Sequence, residues 1–317
     1  MLGVQMQKSA QKKMGRGEKF IQQVLVHWPL YVMVIPALLY IILFAYKPMY
    51  GVTVAFKDFS LRKGIMKSPW VGLANFERMF SSYWFPIILK NTLTLSSLSL
   101  FLSFPAPILL ALMVNEIGNE RVKRTFQTVS YAPHFISTVV ICGMIILFLS
   151  PSSGIINKVI TLFGGEKVYF MQKPQYFKWI YVISGIWQET GWSAIIYFAA
   201  LSGVDRSLLE AAEIDGANRI QRIIHINLPV LIPTIAVLLI LRCGSILSIG
   251  YEKVYLLQNS TNLTGSEIIS TYVYKVGLQQ NDFAFSTATG LFNSVVNTII
   301  LVSANIFSNK VVKVGLW

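Results

Sequence analysis

Residues 210–229 read EAAEIDGANRIQRIIHINLP, a polar stretch set between two strongly apolar ones. Just before it, Ser207-Leu-Leu-Glu210 matches a helix-capping pattern, with the Ser207 hydroxyl available to cap and Glu210 at the third position. Leu208, Leu209, Ala211 and Ala212 then make a compact helix, and the small residues at 211 and 212 permit close approach of another backbone. Gly216, following Asp215, is suited to end that helix because it adopts positive φ without strain. A second amphipathic turn follows, with Ile220, Ile223, Ile224 and Ile226 mostly on one side and Arg219 and Arg222 elsewhere. Leu228-Pro229 closes the stretch, and proline suits the first turn of the next helix. The expectation is a short helix, a bend and a second helix, held at a surface as a knob that can sit in a groove.

The surface in question is a membrane. Of the 317 residues, 54% are hydrophobic and only 13% charged, about half the charged share of a soluble domain, and the mean hydropathy is +0.57. The net charge of +13 does not point to nucleic acid here, because the basic residues flank apolar spans and face anionic headgroups. Cys142 and Cys243 both fall inside apolar runs and read as small hydrophobes. The two Asn-x-Thr matches, at Asn259 and Asn262, are taken as chance. Lys8, Lys12, Lys13, Arg16 and Lys19 precede the first apolar run, which is too long for a signal-peptide core and is read as a retained span.

The fold class expected is all-α, an integral membrane protein with six transmembrane helices. A spanning helix needs about 20 mostly apolar residues, and six segments qualify: 28–46, 92–114, 129–149, 179–201, 229–249 and 287–307. Pro105 and Pro107 lie inside the second, so a kink is expected there. The segments 47–90, 151–178 and 250–286 are long and carry several aromatics; 115–125 and 202–228 are shorter and charged. This gives a polar tail at 1–27, a six-helix domain at 28–308 and a short tail at 309–317. The two faces carry equal numbers of Lys and Arg, so charge alone does not orient the chain.

Chemistry of its own is not evident. There is no phosphate-binding loop of the G-x₄-G-K-[ST] type. Leu201-Ser-Gly-Val lacks the second glycine of an ATPase signature. His27, His134 and His225 are dispersed, which argues against a metal site, and no nucleophile–base arrangement is visible, so an enzyme is not expected. Two ionisable residues lie within spans, Glu189 in the fourth and Arg242 in the fifth, and such charges face a cavity or a partner. At about 1.5 Å per residue their depths differ by only about 4–5 Å. They either pair across the two helices or line a polar pathway. Trp187 and Trp192 flank Glu189 with flat aromatic faces. Being five apart they point about 140° from each other, so at most one faces the cavity.

The spacing E-A-A-x₃-G-x₉-I-x-L-P over residues 210–229 resembles the cytoplasmic loop by which permease subunits of binding-protein-dependent ABC importers engage their ATPase. Other segments extend the resemblance, toward the carbohydrate branch that includes alginate-oligosaccharide and other polysaccharide-type systems. They are Tyr46-Lys-Pro-Met-Tyr-Gly51, Ala55-Phe-Lys-Asp58, Ser68-Pro-Trp-Val-Gly-Leu-Ala-Asn-Phe76, Tyr131-Ala-Pro-His-Phe-Ile-Ser137, Ile269-Ser-Thr-Tyr-Val-Tyr274 and Leu291-Phe-Asn-Ser294. Together they cover roughly residues 30–310. Ile220 and Ile223 stand where the family's pattern leads one to expect aromatics.

The resemblance implies a type I importer permease in the bacterial inner membrane, with both termini cytoplasmic and 47–90, 151–178 and 250–286 outside. It implies a second, related permease as heterodimer partner, two cytoplasmic ATPase subunits that bind ATP and Mg, an extracytoplasmic binding protein and an oligosaccharide substrate. No cofactor is expected in this chain. Residues 205–229 become the ATPase-docking loop, with Glu210, Ala211, Ala212, Asp215, Gly216, Ile226, Leu228 and Pro229 as its pattern residues. Trp187, Glu189, Trp192 and Arg242 become candidates for the substrate pathway. The rivals are half of an ion-coupled secondary transporter, which calls for paired acids or broken helices near the midplane, and a membrane scaffold, which needs no such loop.

Overall fold

In the computed structural model, which describes residues 26–317, the helices that matter are these. They are α1 (Trp28–Ile41), α2 (Trp84–Leu98), α3 (Pro105–Asn115), α4 (Glu120–Tyr131), α5 (Thr138–Phe148), α6 (Pro174–Leu201), α7 (Arg206–Ile214), α8 (Arg219–Arg222), α9 (Leu228–Cys243), α10 (Tyr251–Leu257), α11 (Ile269–Tyr274) and α12 (Phe283–Val311). Among the described residues the only pairing of extended backbone is an isolated antiparallel bridge between Lys57 and Trp70. The expected N-terminal tail lies outside the described residues apart from its last two.

The chain divides into two units, one ending at Thr53 and the other running Val54–Trp317. In the first, α1 continues through a π-turn at Ile42–Tyr46 toward Phe56, and none of its side chains from Trp28 to Met49 is buried.

Three of the four π-turns among the described residues end two positions before a proline: Ile42–Tyr46 before Pro48, Ser99–Ser103 before Pro105, and Ile223–Asn227 before Pro229. The physical reason is the same each time. Proline donates no N–H, and its ring collides with the carbonyl four residues back. That carbonyl belongs to Phe44, Phe101 or His225, each inside the wider turn, where bonds run to the fifth residue instead: Lys47 N–H to Ile42, Phe104 to Ser99, Leu228 to Ile223. Pro105 therefore sits in a helix continuous over Trp84–Asn115 rather than at a break. The second span starts eight residues earlier than the apolar run suggests, since 84–91 is helical too.

The third span departs most from expectation. In place of one straight helix over 129–149, Glu120–Phe135 and Thr138–Phe148 meet at 93°. Pro133 forbids a regular ladder, and Ser137 restarts the helix as an N-cap, its hydroxyl accepting the Val140 N–H at 3.4 Å. Among the described residues four helices are long and apolar enough to cross a membrane: Trp28–Phe56, Trp84–Asn115, Arg219–Cys243 and Phe283–Val311. The bent pair makes a fifth if counted as one crossing. The α6 helix, with 28 residues, has the length but is diluted by a polar middle.

That middle organises the second unit. Toward its start, α6 places Phe177 in an apolar cluster with Leu95, Cys142, Val254, Leu257 and Ile268. Toward its end, Ala194, Tyr197 and Leu201 pack with Ala111, Leu112 and Leu231. Between these apolar grips lie Gln188, Glu189 and Thr190. Gly191 is required here: a Cβ on it would collide with the Ser130 carbonyl, so the end of α4 rests directly on the α6 backbone.

The segment 250–286, expected as a loop, is largely helical and tied down by buried polar groups. Lys275 Nζ donates to Glu267 Oε2 at 2.6 Å and to Gln258 Oε1 at 2.9 Å, and Thr271 donates to Glu267 at 2.7 Å. Asn262 is 1% exposed and its amide donates to the Met171 and Leu257 carbonyls, so it offers nothing to a glycan.

Candidate functional site

A cavity of about 1100 Å³ opens along the polar middle of α6. Its walls come from α6, from α9, from the π-turn at Ser99–Ser103 and from residues 250–253. Hydroxyl and amide groups of Ser99, Ser103, Thr138, Gln188, Thr190, Ser193 and Ser245 line it beside Tyr181, Trp192, Phe104 and Pro107. Convergent polar groups between aromatic faces are the surroundings a hydrated, ring-shaped ligand needs.

Of the four pathway candidates, Glu189, Trp192 and Arg242 line this cavity and Trp187 does not. Glu189 and Arg242 do not pair, contrary to one of the two expectations. The Glu189 carboxylate instead meets His134 Nδ1 at 2.9 Å. The cause is the broken third span. The turn at Ala132–Phe135 brings His134 in front of α6, where its ring stacks on Trp192 with centroids 4.4 Å apart and planes 4° from parallel. Phe135 meets the same indole edge-on at 5.6 Å. Arg242 is left exposed to the cavity, with no carboxylate within 4.0 Å among the described residues. His134, Tyr181 and Lys253 were missed by sequence reasoning. Pro133 with Ser137, a stop followed by a cap, was the available signal for the first; nothing local marks the other two.

The second site is the knob at 205–229. Its first helix is capped by Asp205, not Ser207: the carboxylate accepts the Ser207 N–H at 2.9 Å, which holds Asp205 below the usual carboxylate range. Gly216 adopts φ +78° and turns the chain. Asn218 and Gln221 then form a reciprocal capping box at 2.9 and 2.8 Å. Beyond this the expectation of a separate surface helix fails. The α8 segment runs through its π-turn into α9, so Arg219–Cys243 is one helix and Pro229 lies within it. The four isoleucines also divide: Ile220 and Ile224 are exposed, whereas Ile223 and Ile226 turn partly inward. With Leu208 and Ile214, the latter 88% exposed, they make an apolar tip.

The knob is fixed to the body by a cluster that sequence reasoning did not find. Arg222 bonds both Glu213 and, at 3.4 Å, Glu116 at the end of α3; Asn227 donates to the other Glu116 oxygen at 3.1 Å. Arg222 and Glu116 are only 13% and 14% exposed.

A family model for binding-protein-dependent transport system inner membrane components matches residues 103–313. The chain belongs to that family. It is 44% identical to the polygalacturonan/rhamnogalacturonan transport system permease protein YteP of Bacillus subtilis over 91% of this chain and 90% of the relative. It is 45% identical to Protein LplB of the same organism, over 91% of each. Among solved structures it is similar to a chain of a bacterial ABC transporter involved in the import of the acidic polysaccharide alginate, with 42% identity, TM-score 0.87, and 93% and 99% of the two chains covered. The same likeness holds to that transporter in complex with an alginate pentasaccharide-bound periplasmic protein. The fold is thus that of an importer permease, and the permease is a component of the inner membrane.

Proposed function

We propose that this permease carries an oligosaccharide across the membrane as one subunit of an ATP-driven importer. The substrate arrives on an extracytoplasmic binding protein, and a second, related permease closes the open side of the cavity. Two cytoplasmic ATPase subunits bind ATP and Mg and dock on the apolar tip at 205–229. Counting α6 and the bent pair as one crossing each gives six, which puts both termini on the same side as the knob, the cytoplasmic side in a reading where the knob docks on the ATPase. One relative belongs to a polygalacturonan/rhamnogalacturonan transport system and the solved transporter imports the acidic polysaccharide alginate, which supports an acidic sugar chain.

The observation that carries the reading is one continuous helix. Arg219–Cys243 bears the knob at one end and Arg242, in the cavity wall, at the other. Its 25 residues span about 37 Å at the usual rise. A push on the knob therefore reaches the cavity as a rigid-body displacement, which is what alternating access requires. The test is uptake of a labelled oligosaccharide into proteoliposomes holding the complete importer. ATP-dependent uptake that vanishes without the binding protein supports the reading; uptake driven by an ion gradient in the absence of ATP would replace it with the secondary-transporter rival.

A further inference from the structure

The α6 helix presents Tyr181, Gly185 and Glu189 on one face, each four residues from the next. Lys253, reaching in from α10, lies along that face. Its ammonium is 5.3 Å from the centre of the Tyr181 ring and 3.7 Å from where a Cβ on Gly185 would stand, so the missing side chain makes the room it occupies. Arg242 lines the same cavity from α9. Two cations thus converge near one tyrosine, and neither has a carboxylate within 4.0 Å among the described residues. Neither acid in the lining forms an ion pair with them, although the Glu189 charge acts on Lys253 from beyond 4.0 Å. Glu189 is engaged by His134, and Glu252, adjacent to Lys253 in sequence, points about 100° away on its helix and is exposed.

Charges at this depth are retained when they meet a partner or a ligand. We propose that Arg242 and Lys253 form a carboxylate-binding subsite for the uronate residues of a passing oligosaccharide, with Tyr181, whose ring lies under the Lys253 ammonium, holding that lysine in the cavity wall. The subsite rests on the import reading above and gives it a chemical class. A guanidinium and an ammonium supply charge-assisted donors to a carboxylate, whereas a neutral hexose offers only uncharged hydroxyl and ether oxygens, which accept hydrogen bonds but do not balance two positive charges.

The experiment uses the complete importer in proteoliposomes and two probes, trigalacturonate and its fully methyl-esterified form. The wild type carries the acid faster than the ester. Arg242→Gln and Lys253→Gln each reduce acid transport by about tenfold or more, the low end for losing a hydrogen bond to a charged group, and leave ester transport within twofold, so discrimination collapses. Lys253→Arg and Arg242→Lys, which keep the charge, restore most of it. If acid and ester fall together in the Gln variants, or neither falls, the subsite is wrong while import stands. A wild-type importer that carries neither probe overturns the acidic-oligosaccharide reading itself.

Discussion

The knob at 205–229 and the cavity along α6 are built in opposite ways. The knob is local: Asp205, Gly216, Asn218 and Gln221 shape it through bonds between residues two or three apart. The cavity is assembled from segments far apart in sequence, and the contact that engages its Glu189, from His134, joins positions 55 apart. Local bonds reappear wherever the sequence does, so a motif can announce them. A contact between remote segments exists only once the packing exists. The two regions should also fail differently when disturbed: the cavity through loss of architecture, the knob through loss of communication with an intact body.

The harshest way to break that contrast is Gly191→Val. With no space between Gly191 and the Ser130 carbonyl, the helices must separate at a cost of about 3 kcal/mol or more. The complex should be lost on size-exclusion chromatography; normal yield would mean that α4 is free to move off α6.

Next comes the anchor of the knob. Arg222→Met strands Glu116 and Glu213, and breaking a buried pair costs about 3–5 kcal/mol, less here because water reaches Glu213. Binding-protein-stimulated ATP hydrolysis should collapse while the four-subunit complex still elutes intact. Glu116→Gln combined with Arg222→Met should recover part of the stimulation, since no charge is then left unpaired at the end of α3. Equal loss of assembly and stimulation would erase the distinction between the regions.

Gly216→Val is milder. Placing a branched residue at φ +78° costs roughly 1–2 kcal/mol, confined to the knob, and the expected phenotype is stimulation reduced several-fold with assembly unchanged. Full stimulation in this variant would refute a docking role for the bend.

The smallest effect sharpens the cavity side. His134 and Glu189 are 30% and 49% exposed, so their coupling in a double-mutant cycle of His134→Gln with Glu189→Gln should be no more than about 1 kcal/mol. The matching cycle of Glu189→Gln with Arg242→Gln should give a coupling near zero. A larger value for the second cycle than for the first would restore the pairing that the geometry contradicts.

Much of the fold was legible because lipid imposes it: apolar runs of spanning length marked α1, the end of α2 with α3, α9 and α12. What escaped were features that conserve hydropathy while changing geometry. The 93° break between Phe135 and Thr138 is invisible to an apolar count, since Pro133 and Ser137 lie among Ala, Phe, Ile and Val. The extension of α9 back to Arg219 was hidden by its polar residues. At the cavity, Glu189 and Arg242 stood out as charges within spans, but their partners could not: nothing near Glu189 in sequence names His134, and Lys253 enters from a segment that reads as a loop.

The π-turn at Ile223–Asn227 has a consequence for descent. A π-turn is an α-helix holding one residue too many, absorbed as a bulge so that both flanks keep their facing. Arg219–Cys243 therefore has the facing of a helix one residue shorter, and counting by 3.6 from Ile220 to Arg242 misplaces the arginine by about 100°. Lineages that lack Pro229 have no need of the bulge. Alignments should show a single-residue gap drifting within 223–227 together with the loss of that proline. In the laboratory, deleting Ile224 together with Pro229→Ala should leave assembly of the complex largely intact, whereas deleting Val237 should abolish it.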